Sequence, residues 1–174
     1  MGGNGTWASL YYCDEASDDL ADSIGSISLA DTGTTIYGQA GAMPGDRAVT
    51  GGAGEDFVAL SETSYDLTTA GQVAIYACLK LRVKQADYSI GKHGGAGGYY
   101  ALRTDANGHM HCEVYDGTTT FTSSVAVDHL TGDFVDILLM VDRDCGAALI
   151  ATSLGVGTPA DISGSLTLTG AGKL

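Results

Sequence analysis

Long apolar runs, basic residues and closely spaced cysteines are scarce or absent in this sequence of 174 residues. No segment has the ~18 consecutive apolar residues of a membrane-spanning helix, so no membrane span is predicted. The first residues carry neither a basic nor an apolar stretch, which predicts synthesis in a cytoplasm without a secretory signal. Lysine and arginine number 8 against 21 aspartates and glutamates, for a net charge of −13. Such a charge repels phosphates and anionic lipids, so neither nucleic acid nor membrane is expected as a partner.

The cysteine pattern excludes two further classes of site. The four cysteines are Cys13, Cys78, Cys112 and Cys145, and no two of them form a C-x-x-C pair. The usual zinc-ribbon and redox motifs are therefore excluded. Cytoplasmic synthesis predicts mostly buried thiols without disulfides, and one disulfide formed after release from a cell is the alternative.

Strand signals are strong, whereas helical periodicity is nearly absent. The 26 glycines fall in clusters between apolar runs, as turn residues do. From Val73 to Val83, apolar residues alternate with other residues, which predicts one long strand. Residues 99–117 predict a hairpin that turns at Asn107-Gly108, a pair that tolerates positive φ. Short strands separated by turns predict an all-β, antiparallel β-sandwich with little or no helix.

The late hairpin, residues 134–155, carries apolar residues on both faces of its first arm. The residues that face one way are Val135, Ile137, Leu139 and Val141. Leu138 and Met140 face the other way, between Asp136 and Asp142. Such a strand is either central in a sandwich or partly covered by a neighbouring chain.

Four segments follow one another in an order that points to a fold family. They are WASLYYCDEASDDLADSIGS, with a turn at residues 22–25, then GAGEDFVALSETSYDLTTAGQVAIYACLKLR, YSIGKHGGAGGYYALRTDANGHMHCEVYDG and FVDILLMVDRDCGAALIATSLG. This order resembles that of the laminin-G-like, concanavalin-A-like jelly rolls, over most of residues 7–174. The resemblance implies a single jelly-roll domain over residues 1–174. Its members include lectins, glucanases, adhesion modules and virion surface proteins, so the fold does not choose among these functions.

The end of the sequence raises a question about the completeness of that fold. Residues 170–174 resemble the step that opens one more strand in the family, so the last strands are expected to be missing from the chain. Either the chain is cut short, or the edge near residues 166–174 is completed by another strand. The candidates for that strand are a second chain and the N-terminal segment at residues 7–12.

Catalytic patterns are missing from the sequence. Retaining glycosidases need two carboxylates about 5–5.5 Å apart, which strand alternation can provide on one face. The four glutamates lack that spacing, and they are Glu15, Glu55, Glu62 and Glu113. Neither a nucleophile elbow nor a phosphate-binding loop is present. The sequence therefore predicts a protein that is not an enzyme.

Loop chemistry indicates two candidate binding sites. His93, Tyr99 and Tyr100 flank a glycine-rich loop where rings could stack on a sugar, and the alternative is an ordinary hairpin connection. No cofactor is predicted. The resemblance leaves calcium as an alternative, held by loop carboxylates and carbonyls, and the candidate ligands are Asp142 and Asp144 or the acidic residues at 14–22.

A zinc site on a predicted strand is a further hypothesis. His109, His111 and Glu113 lie two residues apart from one another, on one face, where they could share a zinc ion. The alternative is the polar outer face of a half-buried strand.

The function predicted from these features is that of a non-enzymatic virion structural protein. A small acidic domain without an export signal resembles the decoration or cement proteins of phage heads, or small tail proteins. It would bind neighbouring structural subunits, form a homo-oligomer and expose loops to solvent. The predicted interface residues are Leu138, Met140, Leu166, Leu168 and Leu174. The alternative is a lectin-like carbohydrate-binding or adhesion module that recognises host-surface glycans.

Overall fold

The chain forms two compact units of antiparallel strands, residues 1–59 and 60–174. The computed structural model describes residues 11, 20–25, 27–33, 35–44, 47–50, 57–58, 60–62, 65, 67, 71–84, 86, 89–93, 98–164 and 172–173. These residues contain no helix, and so none that could cross a membrane. The predicted all-β class is confirmed, and the single domain over residues 1–174 stays a prediction.

The part of the first unit that the structure describes contains two pairs of short strands. They are β1 (Ala30–Asp31), β2 (Ile36–Ala40), β3 (Arg47–Thr50) and β4 (Phe57–Val58). β1 pairs with β4, and β2 pairs with β3. Two aspartates hold its turns, because Asp31 accepts hydrogen bonds from Gly33 N and Tyr37 Oη, and Asp22 accepts one from Gly25 N. The predicted turn at Asp22 is thus confirmed.

The described residues of the second unit form eleven strands in two sheets. They are β5 (Leu60–Glu62), β6 (Gln72–Leu79), β7 (Ser89–His93), β8 (Tyr99–Thr104), β9 (Met110–Tyr115), β10 (Thr120–Val125), β11 (Val135–Asp142), β12 (Ala147–Thr152), β13 (Gly155–Val156), β14 (Ala160–Asp161) and β15 (Gly172–Lys173). The six-stranded sheet has the order β10-β9-β8-β7-β15-β5. The five-stranded sheet has the order β13-β12-β11-β6, with β14 paired to β12.

The two sheets pack face to face around one hydrophobic core. The six-stranded sheet contributes Tyr100, Leu102, Met110, Cys112, Val114 and Val125, and the five-stranded sheet contributes Val135, Ile137, Leu139, Val141, Ala148 and Ile150. Alternation at period 2 places these residues inside and leaves the residues between them on the outer faces. The predicted β-sandwich is therefore confirmed for this unit, whereas jelly-roll topology stays a prediction.

The predicted strands and turns of this unit are largely confirmed. β6 alternates as expected but ends at Leu79, which pairs with Val135, the first residue of β11. A bend follows at Arg82–Val83, and Leu81 keeps a buried position. The first hairpin turns through Gly108, whose φ is +80°. A glycine is suited to this left-handed conformation.

Strand β15 gives a result that differs from the expectation. Lys173 pairs with Leu60 of β5 on one side and with His93 of β7 on the other. The prediction that this edge is completed by a second chain or by the N-terminal segment is therefore wrong for these two described residues. The predicted interface residues Leu166, Leu168 and Leu174 lie outside the described residues.

A buried histidine links the two sheets. The Nδ1 atom of His129 lies 3.2 Å from the carbonyl oxygen of Gly108, and Nε2 lies 3.2 Å from Thr152 Oγ1. Because a carbonyl oxygen only accepts, Nδ1 carries the proton in this hydrogen bond. His129 thus ties the β8–β9 turn to the end of β12.

Candidate functional site

The outer side of the five-stranded sheet carries a continuous group of apolar side chains. We call it the apolar face, and it consists of Ala74, Tyr76, Leu138, Met140, Leu149, Ala151 and Val156. Strand register arranges these residues in two neighbouring rows. One row is Tyr76, Leu138, Ala151 and Val156, and the other is Ala74, Met140 and Leu149.

Three of the larger side chains of the apolar face are well exposed to solvent. Their exposed fractions are 50% for Tyr76, 36% for Met140 and 69% for Val156. Leu138 is half-buried, although its sequence neighbours Ile137 and Leu139 are fully buried in the core. The predicted outward placement of Leu138 and Met140 is therefore confirmed, and β11 is also central in its sheet.

Carboxylates lie beyond both rows of the apolar face. On one side, Tyr76 Oη donates a 2.6 Å hydrogen bond to Asp136 Oδ1, which is the main reason why the pKa of Tyr76 rises to about 12. On the other side, Asp142 and Asp161 both lie opposite Ala147. The face is therefore apolar in its middle and acidic at both ends of β11.

The predicted calcium ligands Asp142 and Asp144 flank Arg143 at the β11–β12 turn. Asp142 accepts hydrogen bonds from Cys145 N at 2.9 Å and from Gln72 Nε2 at 3.0 Å. The bond from Cys145 N is the main cause that lowers the pKa of Asp142. Asp144 Oδ1 accepts from a backbone N–H at 3.2 Å. These contacts hold the turn, and calcium binding stays the alternative that the resemblance implies.

The outer side of the six-stranded sheet carries polar side chains that bind one another. We call them the polar cluster, and it consists of Tyr99, Arg103, His111, Glu113 and Tyr115. Arg103 Nη1 lies 2.7 Å from Glu113 Oε1, and Tyr99 Oη donates to the same oxygen. His111 Nε2 lies 3.7 Å from Glu113 Oε2. The rings of Tyr99 and Tyr115 have centroids 5.4 Å apart.

Electrostatics keep the central carboxylate of the polar cluster charged. Burial alone would raise the pKa of Glu113, but hydrogen bonds from Tyr99 and Arg103 and the Arg103 charge lower it below its usual value. For His111 burial acts in the other direction and is the main cause that lowers its pKa, because it disfavours the charged imidazolium. Glu113 thus forms an ion pair with Arg103 and lacks the raised pKa typical of a general acid.

The predicted sugar-binding residues lie on different faces. Tyr100 is 1% exposed, and its hydroxyl donates a 2.7 Å hydrogen bond to the Tyr65 carbonyl oxygen. Its ring therefore offers no face to a sugar. Tyr99 belongs to the polar cluster, and the backbone of His93 pairs with it in the neighbouring strand. Loop residues 94–97 lie outside the described residues.

The residues weighed for zinc do not converge on one point. His111 and Glu113 belong to the polar cluster, whereas His109 Nδ1 lies 3.1 Å from Asp105 Oδ2 at the hairpin turn. Within the described part of the chain, no three His, Cys, Asp or Glu residues are grouped to hold a metal ion.

The cysteines differ partly from expectation. No disulfide joins the three that the structure describes, and Cys112 is buried as predicted. Cys78 and Cys145 are exposed, so the prediction of mostly buried thiols is wrong for these two. The reason is that Cys78 lies on the outer side of β6 and Cys145 lies in a turn.

Several residues of both surfaces were missed by the sequence reasoning. The sequence alone does not indicate Tyr76 and Val156 of the apolar face, or Arg103 of the polar cluster, as site residues. A period-2 pattern placed Tyr76 on the outer side of its strand. Nothing local indicated that Leu138 and Val156 would lie in line with it, since this depends on pairing between distant strands.

Comparisons with known proteins add no assignment. No protein-family model matches the chain, and a search of curated proteins finds no match. The resemblance to laminin-G-like jelly rolls therefore rests on the order of sequence features. Function has to be argued from the surfaces themselves.

Proposed function

We propose that this protein is a non-enzymatic structural protein that binds a neighbouring protein subunit through the apolar face. The observation that carries the proposal is the pair of adjacent apolar rows, one across four neighbouring strands and one across three, with Tyr76, Met140 and Val156 exposed. Soluble proteins scatter single apolar residues over their surfaces, whereas contiguous apolar patches mark binding surfaces.

The composition of the apolar face also supports protein binding. Aromatic residues and methionine are enriched in protein–protein interfaces, and tyrosine is among the commonest energetic anchors. Tyr76 fits this role because its hydroxyl is already bonded to Asp136, so the ring can be covered without leaving that hydroxyl without a partner. A partner would therefore gain apolar burial at low polar cost.

The sequence resemblance supplies the proposed setting, which is the surface of a phage virion. In this proposal the chain is a decoration, cement or small tail protein that attaches to neighbouring structural subunits. Its localisation would be the virion, after synthesis in the host cytoplasm.

The test is incorporation into particles. Virions would be assembled from a genome that encodes the chain with an affinity tag, and purified particles would be assayed for its copy number. We expect a fixed copy number for the wild type, and at least a tenfold loss for Met140→Lys because a charge would be buried at the interface.

Val127→Lys is the matched control, because Val127 is 43% exposed in a loop outside the apolar face. It should be incorporated at the wild-type level. Absence of the wild-type chain from particles would refute the virion setting. Equal incorporation of Met140→Lys and Val127→Lys would refute the role of the apolar face.

A second candidate function is glycan binding at the polar cluster. It is favoured by the adjacent rings of Tyr99 and Tyr115 beside the Arg103–Glu113 pair. It ranks second because the polar groups of the cluster already bind one another. A glycan array that gives binding in the wild type and none in Tyr115→Ala would support it, whereas an array without binding would exclude it.

A further inference from the structure

We infer that the partner of the apolar face is a protein surface with an apolar strip flanked by lysine or arginine side chains, and is not a second copy of this chain. The inference rests on the proposed function and names the chemistry of the partner. It follows from the rows of side chains that border the apolar face.

The apolar face has a defined size and direction. Its longer row crosses four strands, from Tyr76 to Val156, and neighbouring strands lie about 4.8 Å apart. The row is therefore roughly 14 Å long and runs across the strands. Two apolar rows side by side match the narrow apolar stripe of an amphipathic segment.

The bordering rows carry negative charge on both sides. One border row contains Asp142 and Asp161 on either side of Ala147, and the other contains Asp136 opposite Cys78. Asp136 and Asp142 are six residues apart on β11, which is about 20 Å at the usual rise of about 3.4 Å per residue. A complementary partner would place cations at both borders.

The two borders are not equally acidic. Lys80 follows β6, close to the border that contains Asp136, and it is exposed. The border with Asp142 and Asp161 also has Asp144 in the adjoining turn. The stronger demand for a basic partner group is therefore at the Asp142 end.

A second copy of the chain does not meet this demand. Two stacked sheets keep their strands roughly aligned or cross them at near right angles, and only the aligned arrangement lays whole rows over one another. If the strands of the two copies run in opposite directions, the Asp142 row of each copy lies over the Asp136 row of the other. Lys80 near that row is then outnumbered by the carboxylates of Asp136, Asp142 and Asp161. If the strands run in the same direction, like rows meet. Each copy also carries a net charge of −13, which adds repulsion at long range.

The test uses two synthetic helical peptides as probes, and both carry a leucine stripe. Lysines flank the stripe in one peptide, and glutamates flank it in the other. The full chain would be titrated by NMR at low and at physiological ionic strength. We expect the lysine peptide to shift the methyl signals of Leu138, Met140 and Val156 and to bind at least tenfold more tightly than the glutamate peptide. The preference should shrink with added salt, because exposed charges are screened.

Neutral variants separate this outcome from unspecific attraction to an acidic protein. Leu138→Ser/Met140→Ser should lose at least tenfold in affinity for the lysine peptide, while Val127→Ser should not. Asp142→Asn/Asp161→Asn should reduce the preference for the lysine peptide over the glutamate peptide, while both peptides still contact the apolar face. Equal binding of both peptides, or binding that Leu138→Ser/Met140→Ser leaves unchanged, would overturn the inference.

Sedimentation equilibrium of the chain alone supplies the remaining outcome. A dimer that Met140→Ser dissociates would identify the occupant as a second copy and overturn the inference. That result would be compatible with the proposed function, which fails only when particles lack the chain or when Met140→Lys is incorporated normally.

Discussion

The outer faces of the two sheets differ in where their side chains find partners. On the six-stranded sheet, Tyr99, Arg103 and Glu113 bind one another within two adjacent strands. On the five-stranded sheet, Met140 and Val156 lie exposed between two acidic rows. The first face resembles a structural network, and the second resembles half of an interface. The difference shows that outward position on a strand says little about role until the cross-strand neighbours are known.

The largest effect on stability should come from truncating a side chain on the inner face of β11, compared with its neighbour on the outer face. Leu139 is fully buried, whereas Leu138 faces outward. We expect Leu139→Ala to lower the free energy of unfolding by about 2–5 kcal/mol, because it removes buried methyl groups and leaves a cavity. Leu138→Ala should cost about 1 kcal/mol or less. Urea unfolding midpoints measure both, and equal losses would mean that the outer face is already covered within the chain.

An intermediate effect should come from the polar cluster. Glu113→Ala leaves the half-buried Arg103 and Tyr99 without their shared acceptor, so the free energy of unfolding should fall by about 1–3 kcal/mol. Thr122→Ala is the control, because Thr122 lies opposite Glu113 and is exposed. A double-mutant cycle with Arg103→Ala would measure the coupling. A loss no larger than that of Thr122→Ala would contradict a stabilising role.

The smallest effect should be a pH dependence that belongs to the polar cluster. Burial lowers the pKa of His111 below its ordinary value of 6.5, although Glu113 and Asp105 oppose the shift and Arg103 and His109 add to it. The unfolded chain therefore binds a proton at a higher pH than the folded chain does. The contribution of His111 to stability should be complete above about pH 6.5 and should be lost as pH falls through the folded pKa.

His111→Asn is the matching variant, and it should flatten the stability profile below about pH 6.5. Met140→Ala, on the other sheet, should keep the wild-type slope. Thermal melts across this range measure both. A His111→Asn profile parallel to that of the wild type would assign the slope to other groups. Carboxylates with lowered pKa, such as Glu113, should lose their contribution at still lower pH.

The features predictable from sequence are those set by neighbouring residues. Period-2 alternation gave β6 and the two faces of β11, and Asn107-Gly108 gave the turn of the β8–β9 hairpin. That turn also fixes the strand register, which brings Arg103 next to Glu113. The polar cluster was therefore within reach of sequence reasoning.

The remaining features depend on pairing between distant strands. Tyr76 meets Asp136 only because β6 pairs with β11 in one particular register. Sequence alternation alone placed Tyr99 and Tyr100 on opposite sides, yet the glycine-rich loop suggested a common site. The division into two units near residue 60 has no signal in the sequence, because no segment of linker-like composition marks it.

The position of β15 has a consequence for the order of folding. The β7–β10 meander and the β11–β12 hairpin join neighbouring segments and can form early. β15 must instead insert between β5 and β7, which lie far back in the sequence, and contacts between distant segments form slowly. Until that insertion, the facing edges of β5 and β7 are open to other chains, so an incompletely folded molecule is most prone to aggregate there.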